Sequence, residues 1–138
     1  MPRIPSRPQL DLSGRWVVVE LPSMDDDYLG LTPDPHVYVT HTEFARFSAT
    51  FEFGVQSGVI DGRVDEVWPD SAALFLTFLG TDEGDEVSGA AADAAYHATD
   101  GTITGTMRYH QGDDLPFVWR RAATAPAASA VTKPRRKR

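Results

Sequence analysis

The segment TDEGDEVSG, residues 81–89, sets Asp82, Glu83, Asp85 and Glu86 within five consecutive positions. A second acidic run, HQGDD, carries Asp113 and Asp114 shortly after His110, and an earlier one, SMDDDY, carries Asp25, Asp26 and Asp27. Carboxylates brought close together in partial solvent repel by about a kcal/mol or more per close pair. A cation, a basic ligand or a basic partner relieves that repulsion. So does uptake of a proton, which turns a carboxyl into a general acid or base. The candidate ligand-binding residues are therefore Asp26, Asp27, Asp82, Glu83, Asp85, Glu86, His110, Asp113 and Asp114. Within that set Asp82, Asp85 and Asp113 are the candidate ligands of a divalent cation. His110, Asp113 and Asp114 are the candidate catalytic groups, an imidazole beside carboxylates being a ready acid–base pair. Asp and Gly are also ordinary turn residues, and exposed acidic loops favour solubility.

Other chemistries lack their residues. The chain has no cysteine, which excludes thiol catalysis, disulfides and Cys-ligated zinc. His36, His41, His97 and His110 form no zinc spacing. Ser88, in Val87-Ser88-Gly89, is outside a G-x-S-x-G frame. No glycine-rich run precedes a helical pattern, so no phosphate cradle is expected. DEGDE has neither the alternating ligands nor the distal Glu of an EF-hand loop.

What must position the acidic runs is a set of β-strands. In RFSATFEF, Phe47, Ala49, Phe51 and Phe53 share one face, and in TITGTMRYH so do Ile103, Gly105, Met107 and Tyr109. This period of two predicts half-buried strands. Eight are expected, near 14–20, 36–41, 45–53, 57–64, 73–79, 86–97, 102–110 and 116–121. The alanines of SGAAADAAYHA favour helix on propensity, but Gly89 and the flanking runs place that stretch in strand six. The fold class is all-β: a small antiparallel, eight-stranded up-and-down barrel, which leaves no exposed edge. Connections after strands one, three, five and seven then lie at one end. All three acidic runs fall in such connections, so they should share one rim.

At 138 residues the chain reads as one domain. Residues 1–10 read as a flexible arm, 11–121 as the barrel, and 122–138 (AATAPAASAVTKPRRKR) as a disordered Ala/Pro-rich basic tail. The net charge is −7, yet residues 8–132 hold six basic residues against all twenty acidic ones, a net of −14. Such a body repels nucleic acid and anionic membranes and favours cationic partners. The tail can make only weak, salt-sensitive anion contacts. With no membrane-length apolar run and no signal-peptide core, a cytoplasmic protein is expected. The Ala- and Arg-rich composition fits a bacterial source.

Gly14-Arg15-Trp16 at the start of the first strand and Trp119-Arg120-Arg121 at the end of the last resemble the Gly-x-Trp signature of lipocalin and calycin barrels. The resemblance implies structural roles for Gly14, Trp16 and Trp119, with Arg120 or Arg121 packed over Trp16. The chain also resembles a family of small bacterial proteins to which no activity is attached. The resembling pieces are GRWVVVE, MDDDYLGL, PHVYV, FSATFEFGVQSGVIDGRV, LFLTFLGTDEGDEVSGAA and GTITGTMRYHQGDDLPFVWR. That pattern implies Ser-Gly-Arg-Gly where this chain has Ser88-Gly89-Ala90-Ala91.

Three functions fit these residues. The first is a binding module whose acidic rim takes a cationic small molecule, a metal ion or a basic protein segment, with no cofactor required and a divalent cation possible. The second is a hydrolase or isomerase using His110 and loop carboxylates. The third is a protein–protein interaction subunit using the acidic rim and basic tail.

Overall fold

The computed structural model describes residues 10–43 and 45–122. Most of the expected arm and tail lies outside that range, although Leu10 already packs on the core and Leu12 is buried. Nine strands and one helical turn follow in order: β1 (Gly14–Glu20), α1 (Asp26–Leu29), β2 (His36–Glu43), β3 (Arg46–Phe53), β4 (Gln56–Val67), β5 (Ser71–Asp82), β6 (Asp85–Ala91), β7 (Ala95–His97), β8 (Thr102–Tyr109) and β9 (Asp114–Arg121).

Alternation along each strand decides which face closes inward. β3 buries every second residue from Phe47 to Phe53, and β5 buries Ala72, Leu74, Leu76 and Phe78. One-sided strands of this kind must cover their apolar face, and each fully buried Leu or Phe contributes about 1.5–3 kcal/mol. Here the sheet closes on itself. All pairings are antiparallel, β1 to β2 through to β5, and β8 to β9 and back to β1. β6 and β7 share the one position between β5 and β8. The result is a closed antiparallel barrel of eight positions. Large side chains, among them Trp16, Trp119, Phe47, Phe53 and Phe117, fill its interior, as expected for a barrel this narrow.

Two expectations need correction. Strand six is not continuous over 86–97; it breaks between Ala91 and Ala95. The Asp93 carboxylate accepts the Thr106 backbone N–H at 2.9 Å, taking a ladder bond that strand backbone would otherwise make. The segment SMDDDYLG, read as a plain connection, contains the helical turn α1.

At one end of the barrel the first and last strands meet. Trp16 is fully buried and its Nε1–H donates to the Leu12 carbonyl at 2.9 Å. The residue stacked on it is Arg121, whose guanidinium carbon lies 4.6 Å from the Trp16 ring centroid. Arg120 does not take that role: it is exposed and donates outward to the Asp100 carbonyl at 3.4 Å. The reason is the pleat. Leu115, Phe117 and Trp119 point inward, so position 121 shares their face and 120 does not. Gly14 has φ +116°, a backbone conformation that suits glycine. Trp119 stacks on Phe117 with centroids 4.5 Å apart.

Candidate functional site

The opposite end of the barrel is a mouth. It receives the connections after β1, β3, β5 and β8, the alternate links of an up-and-down order. A cleft of about 370 Å³ opens there, lined by residues of the β1–β2 link, the start of β4, the end of β5, β6 and the β8–β9 turn. Asp82, His110, Asp113 and Asp114 are all in its wall. The acidic runs therefore do converge, and strand order alone brings them there.

Each run also has a local explanation. Asp82-Glu83-Gly84-Asp85 is a two-residue hairpin, with Asp82 and Asp85 as register partners. Glu83 has φ +52° and Gly84 φ +91°. Positive φ at both central positions is the turn whose twist matches the flanking strands. In the early run, Asp25 is the N-cap of α1 and its carboxylate accepts the Tyr28 N–H at 3.1 Å. Asp26 and Asp27 occupy the first helical turn, where negative charge is favoured. In the third run Gln111 has φ +57°, Gly112 donates to the Tyr109 carbonyl at 3.0 Å, and Tyr109 donates to the Asp113 carbonyl at 3.3 Å, which closes the turn.

The pleat then sorts the carboxylates. Asp82 continues the inward face of β5 after Phe78 and Gly80 and is half-buried. Glu83 is at the hairpin tip, Glu86 is on the outer face, and Asp85 is exposed; none of the three lines the cleft. Asp26 and Asp27 are exposed and do not line it either. Asp114 is paired on the outside with Arg108, Nη1 to Oδ2 3.3 Å. The side chain of His110 is exposed at the rim, and its backbone N–H donates to the Ser88 carbonyl at 2.7 Å. The expected metal set of Asp82, Asp85 and Asp113 is not assembled. Among the described residues no group of three or more His, Asp or Glu side chains is placed to hold a metal ion. Asp85 fails to join because the two-residue turn leaves it exposed at the rim, outside the cleft.

The floor of the mouth is made by residues outside the acidic runs. Gln56, the first residue of β4, is buried at 6 % exposure and is the register partner of Asp82. The Tyr109 hydroxyl donates to Gln56 Oε1 at 2.7 Å, and Gln56 Nε2 donates to the Tyr28 hydroxyl oxygen at 3.1 Å. Three segments are thus tied together through one amide. Tyr28 is delivered by α1, and its ring lies directly over Gly54. A Cβ at Gly54 would sit 2.2 Å from Tyr28 Cε2, and Gly54 also has φ +57°. Thr32, buried in the same link, donates to the Gly54 carbonyl. Burial pushes the Tyr109 hydroxyl well above the ordinary tyrosine value, the hydrogen bond to Gln56 partly offsets this, and nearby Tyr28 and Asp82 add to it. Tyr109 is therefore a neutral hydrogen-bond donor at physiological pH. Met24, Val87 and Leu115 supply apolar wall.

Tyr109 was placed inward by the alternation of β8, but its partner was not. Gln56 is in phase with Ile60 and so carried an inward signal. For Tyr28 no signal exists in the sequence, because its position depends on where the β1–β2 link folds back. Comparison of the chain with protein-family models, curated proteins and solved structures finds no match. The site is therefore interpreted from its own residues.

Proposed function

We propose that this barrel is a small-ligand binding module whose recognition site is the cleft at its acidic mouth. The observation that carries the reading is a cleft where the β1–β2 and β8–β9 links meet residues of β4, β5 and β6, with a Tyr28–Gln56–Tyr109 hydrogen-bond chain at its floor beside Asp82. Pockets that combine apolar wall with a few fixed polar groups are the usual form of a ligand site, and barrel mouths are a usual place for them. The filled barrel interior confines the ligand to the mouth. The surplus of acid at the rim favours a cationic small molecule, a metal ion or a basic protein segment over anions. We also assign the barrel to the calycin-like group and to a bacterial source, on the Gly14-x-Trp16 pattern and the composition. No helix among the described residues is long and apolar enough to cross a membrane.

The test is a thermal-shift and calorimetric screen with divalent cations, polyamines and small amines, run beside an Asp82→Asn variant. A heat of binding that is lost in the variant supports the module. No heat and no change in melting temperature with any of these classes would remove it.

His110 and Asp113 line the same cleft, which supports acid–base catalysis on a bound ligand as a second reading. Turnover of any ligand found in the screen, abolished by His110→Gln while binding persists, would establish it. Binding with no turnover would leave the binding module alone.

A further inference from the structure

The mouth has a hydrogen-bonding polarity that narrows its ligand. Gln56 offers one carbonyl oxygen to the two tyrosines, and Tyr109 spends its hydroxyl proton on it. Tyr28 receives a proton from the Gln56 amide nitrogen and keeps its own. If the amide is turned over, the roles of the tyrosines exchange and the count is the same. In either orientation one tyrosine proton remains for an acceptor in the cleft, and the other tyrosine keeps a free lone pair. Beside this chain lies Asp82, the register partner of Gln56, half-buried and inward-facing. Among the described residues no basic side chain pairs with it; the arginines that form ion pairs engage Asp34, Asp61, Asp65 and Asp114. A half-buried carboxylate beside apolar wall is favoured by a counter-charge. A bare divalent ion is a poor counter-charge here, because hard cations need several oxygen ligands and the carboxylates are not gathered to supply them.

From these observations we infer that the cleft takes an organic monocation: a primary or secondary ammonium carried on an apolar body. The ammonium donates one N–H to the Asp82 carboxylate and a second to the free tyrosine lone pair. The apolar body lies against Met24, Val87 and Leu115. The free tyrosine proton reaches an acceptor on the ligand, or a water on it. A cleft of about 370 Å³ has the volume of about a dozen waters, which suits a small amine and is too small for a folded peptide segment.

The inference rests on the mouth being the binding site, and the experiment separates the two. Backbone amide NMR of the full chain is followed during titration with millimolar 2-phenylethylammonium, its neutral counterpart 2-phenylethanol, 3-phenylpropionate, and calcium chloride. The expected result is a saturable shift of the Gln56, Asp82, Val87 and Tyr109 resonances with the ammonium alone. Asp82→Asn should weaken it about tenfold or more, as loss of a charged pair does. Glu66→Gln, an exposed carboxylate at the far end of β4, should leave it unchanged. If calcium moves these resonances and the ammonium does not, the ligand class is wrong while the mouth survives as a site. If the alcohol binds as well as the ammonium, or if Asp82→Asn binds equally well, the charge requirement is overturned. If no probe moves the mouth resonances, both the inference and the binding module fall.

Discussion

The Tyr109 hydroxyl and the Gln56 side-chain carbonyl, 53 residues apart in the chain, meet at 2.7 Å at the mouth of the barrel. Tyr109→Phe removes the donor and leaves a buried carbonyl without it. The expected loss is about 1–3 kcal/mol of unfolding free energy, the usual result of stranding a buried polar atom. Urea denaturation measures it. The double variant Tyr109→Phe, Gln56→Leu should recover part of the loss, because neither partner is then stranded.

The same burial makes a prediction about alkali. The Tyr109 hydroxyl ionises above its ordinary value of 10.0 in the folded chain, chiefly through desolvation. Above that ordinary value the unfolded chain binds fewer protons than the folded one, so stability falls as pH rises. Below it this contribution is fully present. Stability measured from pH 9 upward should decline less steeply in Tyr109→Phe than in the parent. Tyrosinate absorbance should show one component that grows only as the fold is lost, and that component should be missing from the variant.

Gly54 lies under the Tyr28 ring with a left-handed backbone. Gly54→Ala should cost about 1 kcal/mol for the backbone alone and more because its Cβ expels the ring. In a Tyr28→Ala background the cost should fall back to about the backbone value. Equal costs in both backgrounds would show that Tyr28 does not rest on Gly54. Chemical denaturation of the four proteins closes this cycle.

At the other end, Arg121 stacks on Trp16 and donates to the Ser13 and Asp11 carbonyls at 3.2 and 2.9 Å. Arg121→Ala should destabilise by about 2 kcal/mol, combining a cation–π contact with two charged hydrogen bonds. Arg120→Ala should cost less than about 0.5 kcal/mol, as exposed substitutions do. Melting temperatures of the two variants decide between them.

Glu83 holds φ +52° at the tip of an acidic hairpin. Glu83→Asn should stabilise by about 0.5–1 kcal/mol, since Asn-Gly is a favoured pair for this turn and one charge is removed from the cluster. Added salt should stabilise the parent more than the variant, because part of the gain is relief of repulsion that salt screens. An equal salt response would assign the whole gain to the backbone.

How far the site was legible follows from where its signals lie. The inward face of β5, from Ala72 to Phe78, extends by the same alternation to Asp82, and that of β9 extends from Trp119 to Arg121. Both outcomes were present in the pattern, which also decides between the two arginines in favour of Arg121. The interruption at Asp93 was not legible, because it depends on a side chain reaching the Thr106 N–H thirteen residues away. The metal set failed because Asp85, although the register partner of Asp82, is exposed at the rim outside the cleft that Asp82 and Asp113 line.

Two periodic properties of the chain were sufficient to determine its class and the meeting of its acidic segments. Apolar alternation requires strands that hide one face, and an up-and-down order sends alternate connections to the same end. Tertiary structure alone decided that Tyr28 folds back from α1 onto Gly54, that Gln56 ties it to Tyr109, and that Asp82 faces the cleft without a basic partner. Those contacts join segments tens of residues apart, and their energies depend on distance and burial, which exist only once the barrel has closed.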